Sequence, residues 1–142
     1  MDAKEQQIKH LEAIQSVINR LAQNSFTIKG WSVVLVSALF ALAAYKANIQ
    51  FVVISLLPIF VFWFLDGYYL WQERRFRAFY NHVRVTVVEN PQEFFSMDVS
   101  PCESEAGSIW CAWFSGTLLL FYGGIIFAII LVWNLAATKG VA

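Results

Sequence analysis

From Ile109 to Leu135 the chain carries no charged residue. A stretch that long cannot keep one face in water, and as a helix it spans a bilayer with some tilt. Two more apolar runs precede it. The first, Trp31 to Tyr45, is slightly short for a hydrocarbon core about 30 Å thick. Phe26 and Ile28 are therefore expected inside its helix, with Lys29 bending its ammonium back to the headgroups. The second, Phe51 to Leu65, has Ser55 as its single polar residue and continues through Gly67 to Trp71. Pro58 should kink it, which membrane helices tolerate when a neighbour or a serine satisfies the freed carbonyl. The two runs are separated by "AYKANIQ", short enough to demand a tight antiparallel hairpin.

Composition agrees. Hydrophobic residues make up 58% of the 142, and charged residues 14%, against about 25% in a typical soluble domain. The expected fold class is an all-α membrane protein with three transmembrane helices, an N-terminal amphipathic cytoplasmic helix and a cytoplasmic extension of the second span. The corresponding segments are 1–28 for the amphipathic helix, 29–71 for the hairpin, 72–108 for the extension and an acidic loop, 109–135 for the third span, and 136–142 for an outside tail. Lys4, Lys9, Arg20, Lys29, Arg74, Arg75, Arg77 and Arg84 fall on one side of that layout, and Lys46 and Lys139 on the other. The asymmetry predicts a cytoplasmic N-terminus. Trp31, Trp71, Trp110 and Trp113 would mark the inner interface and Trp133 the outer one. The polar, charged N-terminus does not read as a cleavable signal peptide. With zero net formal charge, membrane lipids are the expected contact and direct nucleic-acid binding is not.

Asp66 is an acid inside the second apolar run, about 22 Å along the helix axis from Phe51. Its plain role is an inner-edge carboxylate, hydrated or bonded to Tyr69, Ser32 or Lys29. Its sharper role is a pore-facing or proton-linked acid. Asp66, Tyr69, Glu73, Arg74, Arg75 and Arg77 form the candidate pore or interface set. Glu73 and Arg77 can pair at i, i+4, while Phe76, Phe79, Tyr80 and Val83 give this extension an apolar face. The arginines can anchor to anionic headgroups or meet an acidic partner; there is no glycine-rich cradle for a nucleotide phosphate.

Leu11, Ile14, Ile18 and Leu21 fit a and d positions over two heptads, with Ile8 and Val17 widening the stripe. Two heptads are marginal alone, so the stripe must pack on the cytoplasmic extension, on copies of itself or, less favourably given its mixed acidic and basic polar face, in the headgroup plane; it is the candidate oligomer seam. Ser115, Gly116, Gly123 and Gly124 would let helices approach closely in lipid. Asn90-Pro91 can start a turn, with Gln92 and Glu93 after it. Glu89, Glu93, Asp98, Glu103 and Glu105 are candidate counterparts for the four arginines. Cys102 and Cys111 match no zinc or disulfide framework and are expected to be free thiols. His10 and His82 have no nucleophile beside them in sequence. No catalytic set, metal site or cofactor is expected, and the chain does not read as an enzyme.

The layout resembles the SLATT-type small membrane proteins of bacterial conflict systems: a cytoplasmic helix, a two-span hairpin, then "LDGYYLWQERRFRAFY" entering a cytoplasmic helix. Asp66, Tyr69, Glu73, Arg74, Phe76, Arg77 and Tyr80 carry the resemblance, which covers roughly half the chain. It implies an oligomeric inner-membrane effector or accessory of a phage-defence system, pore-forming or membrane-disrupting when triggered. This sequence departs from the pattern in its full third span and its lack of a sensor domain, so a cytoplasmic protein partner is expected to do the sensing. The alternative is a non-conducting scaffold that tethers a soluble enzyme complex.

Overall fold

The computed structural model describes residues 3–46, 48, 50–85 and 96–138. The Asn90-Pro91 turn, Glu89, Gln92, Glu93 and the last four residues of the expected tail lie outside them. All elements among the described residues are helical: α1 (Ala3–Lys46), α2 (Gln50–Ile54), α3 (Leu56–Val85), α4 (Glu103–Ala106), α5 (Ile109–Trp113) and α6 (Gly116–Thr138), with a 3-10 turn at Ser100–Cys102. Three helical stretches are long and apolar enough to cross a membrane: within α1, across α2 and α3, and in α6.

The amphipathic segment and the first apolar run are one helix. Nothing between Ala3 and Lys46 breaks α1, because its first proline-free stretch extends through good helix formers and Gly30 alone costs only about 1 kcal/mol. The boundary expected at residue 28 is thus a change of environment along a continuous rod. At its far end, Asn48 turns the chain. Its amide donates to the Ala43 carbonyl at 3.2 Å, and its side-chain oxygen accepts from the Gln50 amide at 2.9 Å.

The kink expected at Pro58 falls three residues earlier, at Ser55, which separates α2 from α3. Pro58 has no N–H for the Ile54 carbonyl and its ring crowds that carbonyl, so the ladder opens one turn upstream. The Ser55 hydroxyl donates to the Val52 carbonyl at 2.6 Å and is fully buried. From there α3 runs antiparallel to α1 for 30 residues.

The third apolar run is not one helix from 109. It breaks at Phe114–Ser115, and the long apolar helix begins at Gly116. The Ser115 carbonyl accepts the Leu119 amide at 3.0 Å, the role of an N-cap residue. The resulting α6, 23 residues long, extends roughly 34 Å, still enough to cross a bilayer. Upstream, Gly107 ends α4 with φ 74, a left-handed conformation that favours glycine.

Two cores result. One lies among α1, α2, α3 and α6 and gathers Val36, Val52, Ile59, Leu118, Tyr122 and Ile129. The other, which we call the head, joins the N-terminal half of α1 to the C-terminal half of α3 and the 3-10 turn. It gathers Ile14, Ile18, Ala78, Phe79, Val83 and Cys102. Ile14 is 0% exposed there, worth about 1.5–3 kcal/mol of burial.

Candidate functional site

Between the two cores sits a buried polar cluster centred on Asp66. The carboxylate is 0% exposed, and a charge so placed must be paired and fully hydrogen-bonded. Two other helices supply the partners. On α1, Ser25 and Lys29 stand one turn apart on the same face; the Ser25 hydroxyl donates to Oδ1, and the Lys29 Nζ lies 2.6 Å from Oδ2. Lys29 also donates to the Ser25 oxygen at 2.8 Å, so the serine relays part of the positive charge to the second carboxylate oxygen. On α6, the Tyr122 hydroxyl lies 3.2 Å from Oδ2 and 3.3 Å from the Phe62 carbonyl. Its single proton serves one of these or is shared between them. Ser32, fully buried beside them, donates to the Lys29 carbonyl at 2.8 Å.

Next to the cluster on α3, a tryptophan is seated against a glycine. Gly67, next to Asp66, is buried, and a Cβ built on it would come within 1.8 Å of the Trp113 ring. α5 docks into that notch. The Trp113 indole donates to the Phe64 carbonyl at 3.1 Å, and the Trp63 indole donates to the Trp113 carbonyl at 2.9 Å. Phe64 and Trp113 meet edge to face at 5.1 Å. The break before Gly116 thus lets α5 turn its indole onto α3 before α6 departs.

These contacts revise the expected sites. Asp66 is not presented at a surface of the chain: its oxygens are consumed by Ser25, Lys29 and Tyr122, of which sequence reading named Lys29 alone. Tyr69 and Arg74 are half-buried and lie outside the cluster. Glu73 and Arg77 do pair, at 2.7 Å, as an i, i+4 contact of the kind worth about 0.3–0.5 kcal/mol. Arg75 lies 4.6 Å above the Trp71 ring and 3.4 Å from Glu103. Among the described acids of the loop, Glu103 alone reaches an arginine side chain at ion-pair distance. Asp98 instead accepts from the Ser100 hydroxyl and amide, which holds its carboxyl below the usual range.

The oligomer stripe is revised too. Ile14 and Ile18 are buried within the head against Phe79 and Val83, with Leu11 packed around them, so these three pack inside the chain, while Leu21 is half-buried outside that core. The small residues of α6 are likewise not used for packing within it. A Cβ on Gly116, Gly123 or Gly124 would meet nothing within 4 Å. The glycine that does permit close approach is Gly67.

Two signals in the sequence could have located the missed residues. Ser25 stands four positions before Lys29, hence on its face. Tyr122 is a hydroxyl deep in an apolar run, where it needs a partner. Among the described residues no group of three or more histidine, cysteine or acidic side chains is arranged to hold a metal ion. No protein-family model, curated protein or solved structure matches the chain.

Proposed function

We propose that this protein is an oligomeric effector or accessory of a bacterial phage-defence system, seated in the inner membrane with its N-terminus and head in the cytoplasm. The observation that carries the proposal is mechanical. α1 and α3 run without interruption from the head into the apolar bundle, and the Asp66 cluster clamps them to α6 at the crossing point. A partner that pushes on the head therefore moves all three spans. The lysine and arginine asymmetry supports the orientation, and the resemblance of "LDGYYLWQERRFRAFY" to SLATT-type proteins supports the defence context.

A specific observation favours a second reading. The one acid in the apolar segments is buried and paired with the one lysine beside it, so the single-chain bundle offers no charged lumen for ions. That suits a non-conducting scaffold whose head tethers a soluble complex. The two readings separate in cells carrying the gene with its native neighbours, challenged with phage while a potential-sensitive dye is followed. Protection with depolarisation supports the effector; protection with a steady potential supports the scaffold. Plaque counts equal to those of cells lacking the gene, across a broad phage panel, would remove the defence reading.

A further inference from the structure

α1 and α6 both pack on α3 and run parallel to each other, yet a groove of about 640 Å³ separates them. On α1 it is lined by Lys29, Val33 and Ser37, and on α6 by Thr117, Phe121 and Gly124. The residue order on the two parallel helices sets Lys29 and Thr117 at the same end. From Lys29 to Ser37 the groove follows α1 for roughly 12 Å. One end therefore offers an ammonium and a hydroxyl, and the remainder is almost wholly apolar.

Lys29 has three N–H donors. One meets Asp66 and one meets Ser25, and its side chain remains 23% exposed at the groove. The third donor has no partner among the described residues. Among the described residues the Thr117 hydroxyl has one hydrogen-bond partner, the Ser115 hydroxyl, at a long 3.4 Å. A second copy of the chain is a poor occupant. In its own apolar segments the single acid is Asp66, already buried and saturated, so it brings no anion to this level. We infer that the groove between α1 and α6 is a binding site for an anionic phospholipid, with the phosphate at Lys29 and Thr117 and one acyl chain lying along Val33, Phe121 and Gly124. Basic pockets between membrane helices bind such headgroups in this manner. The phosphate contacts, one charge-assisted hydrogen bond and the threonine hydroxyl, are open to any phospholipid; discrimination comes from the Lys29 ammonium repelling the ammonium of a zwitterionic headgroup, and Asp66 offsets much of that lysine charge. Selectivity is accordingly modest, about tenfold over a zwitterionic lipid.

This inference rests on bilayer insertion and not on the defence role. The test is native mass spectrometry of the full chain released from mild detergent in the presence of phosphatidylglycerol or phosphatidylethanolamine. The expected result is one phosphatidylglycerol retained per chain, and about tenfold less phosphatidylethanolamine. Gly124→Trp fills the groove where a Cβ meets nothing within 4 Å, and should abolish retention. Gly123→Trp, equally unobstructed but off the groove, should leave it intact. Equal retention of the two lipids would overturn the inference, as would equal loss from both tryptophan variants. So would a dimer that Gly124→Trp splits, since a second copy would then be the occupant. If Gly124→Trp fails to fold, the lipid comparison on the unaltered chain still decides. A chain found in the soluble fraction of lysate would remove the membrane reading itself; one that sediments with membranes but retains no lipid removes the groove inference alone.

Discussion

The Asp66–Lys29 pair makes an asymmetric prediction about its two ends. Lys29→Met leaves a carboxylate fully buried and stripped of its counter-charge. Removing one partner of a buried pair costs about 3–5 kcal/mol. Asp66 keeps its bonds from Ser25 and Tyr122, so the expected loss is at the low end, about 3 kcal/mol. Asp66→Asn is gentler for a geometric reason. The amide can turn its NH2 toward Ser25, whose oxygen has a lone pair to offer, and keep its oxygen toward Lys29 and Tyr122. Lys29, partly exposed, can also lean toward solvent. Its cost should be about 1–2 kcal/mol. In the double variant no buried charge remains, so it should cost about 2 kcal/mol in place of the sum, a coupling within the usual range for residues in contact. Unfolding of each variant can be followed in mixed micelles by tryptophan fluorescence, since Trp63 and Trp113 flank the cluster. If Asp66→Asn costs as much as Lys29→Met, and the double variant equals the sum, the pair is not in contact and the clamp does not exist.

Gly67→Ala drives a methyl into the Trp113 ring and should cost about 1–3 kcal/mol through overpacking; Trp113→Ala added to it should recover part of that in the same micelle titration, and no recovery would place the indole elsewhere. Ile18→Asp puts a charge into the head core, at several kcal/mol if it stays buried, so trypsin should cut at Arg20 and Arg84 far sooner while the span-level unfolding transition persists. Cys102 is 2% exposed, and burial followed by the Glu105 charge pushes its thiol up, so little thiolate forms near neutral pH. Exposed Cys111 should therefore take maleimide first, and Cys102 should join it once Ile18→Asp opens the head; equal rates in the unaltered chain would contradict the head core.

What was legible in the sequence was set by one-dimensional pattern. The apolar runs, the hairpin at 46–50 and the Ile14/Ile18 stripe follow from hydropathy and helical spacing, and each has its counterpart in α1, α2–α3, α6 and the head. The stripe's destination was not legible, because packing on Phe79 and on another copy bury the same face. The start of α6 was missed because hydropathy does not register a break: Phe114 and Ser115 are as tolerable in a spanning helix as in a turn, and what decides is the Trp113 indole reaching Gly67 across α3. Asp66 was visible as an anomaly, but a lone acid in one run says nothing of Ser25 and Tyr122 on two others.

The position of Asp66 also constrains how any conducting form could be built. A pore within one chain would need a polar path past Asp66, and that carboxylate is buried and bonded to Ser25, Lys29 and Tyr122. Opening such a path would leave charges without partners, several kcal/mol each. A path between chains carries no such cost. It would run along the face of α6 turned away from the lipid groove, where Gly116 and Gly123 meet no neighbour and where Asn134 donates only to the Ile130 carbonyl of its own helix, leaving an amide oxygen for a lumen. The two routes differ in which variants matter. Conduction through the chain would respond to Asp66→Asn, whereas conduction between chains would ignore it and respond to Asn134→Leu. A reconstituted current that falls with Asp66→Asn while ignoring Asn134→Leu would refute the route between chains.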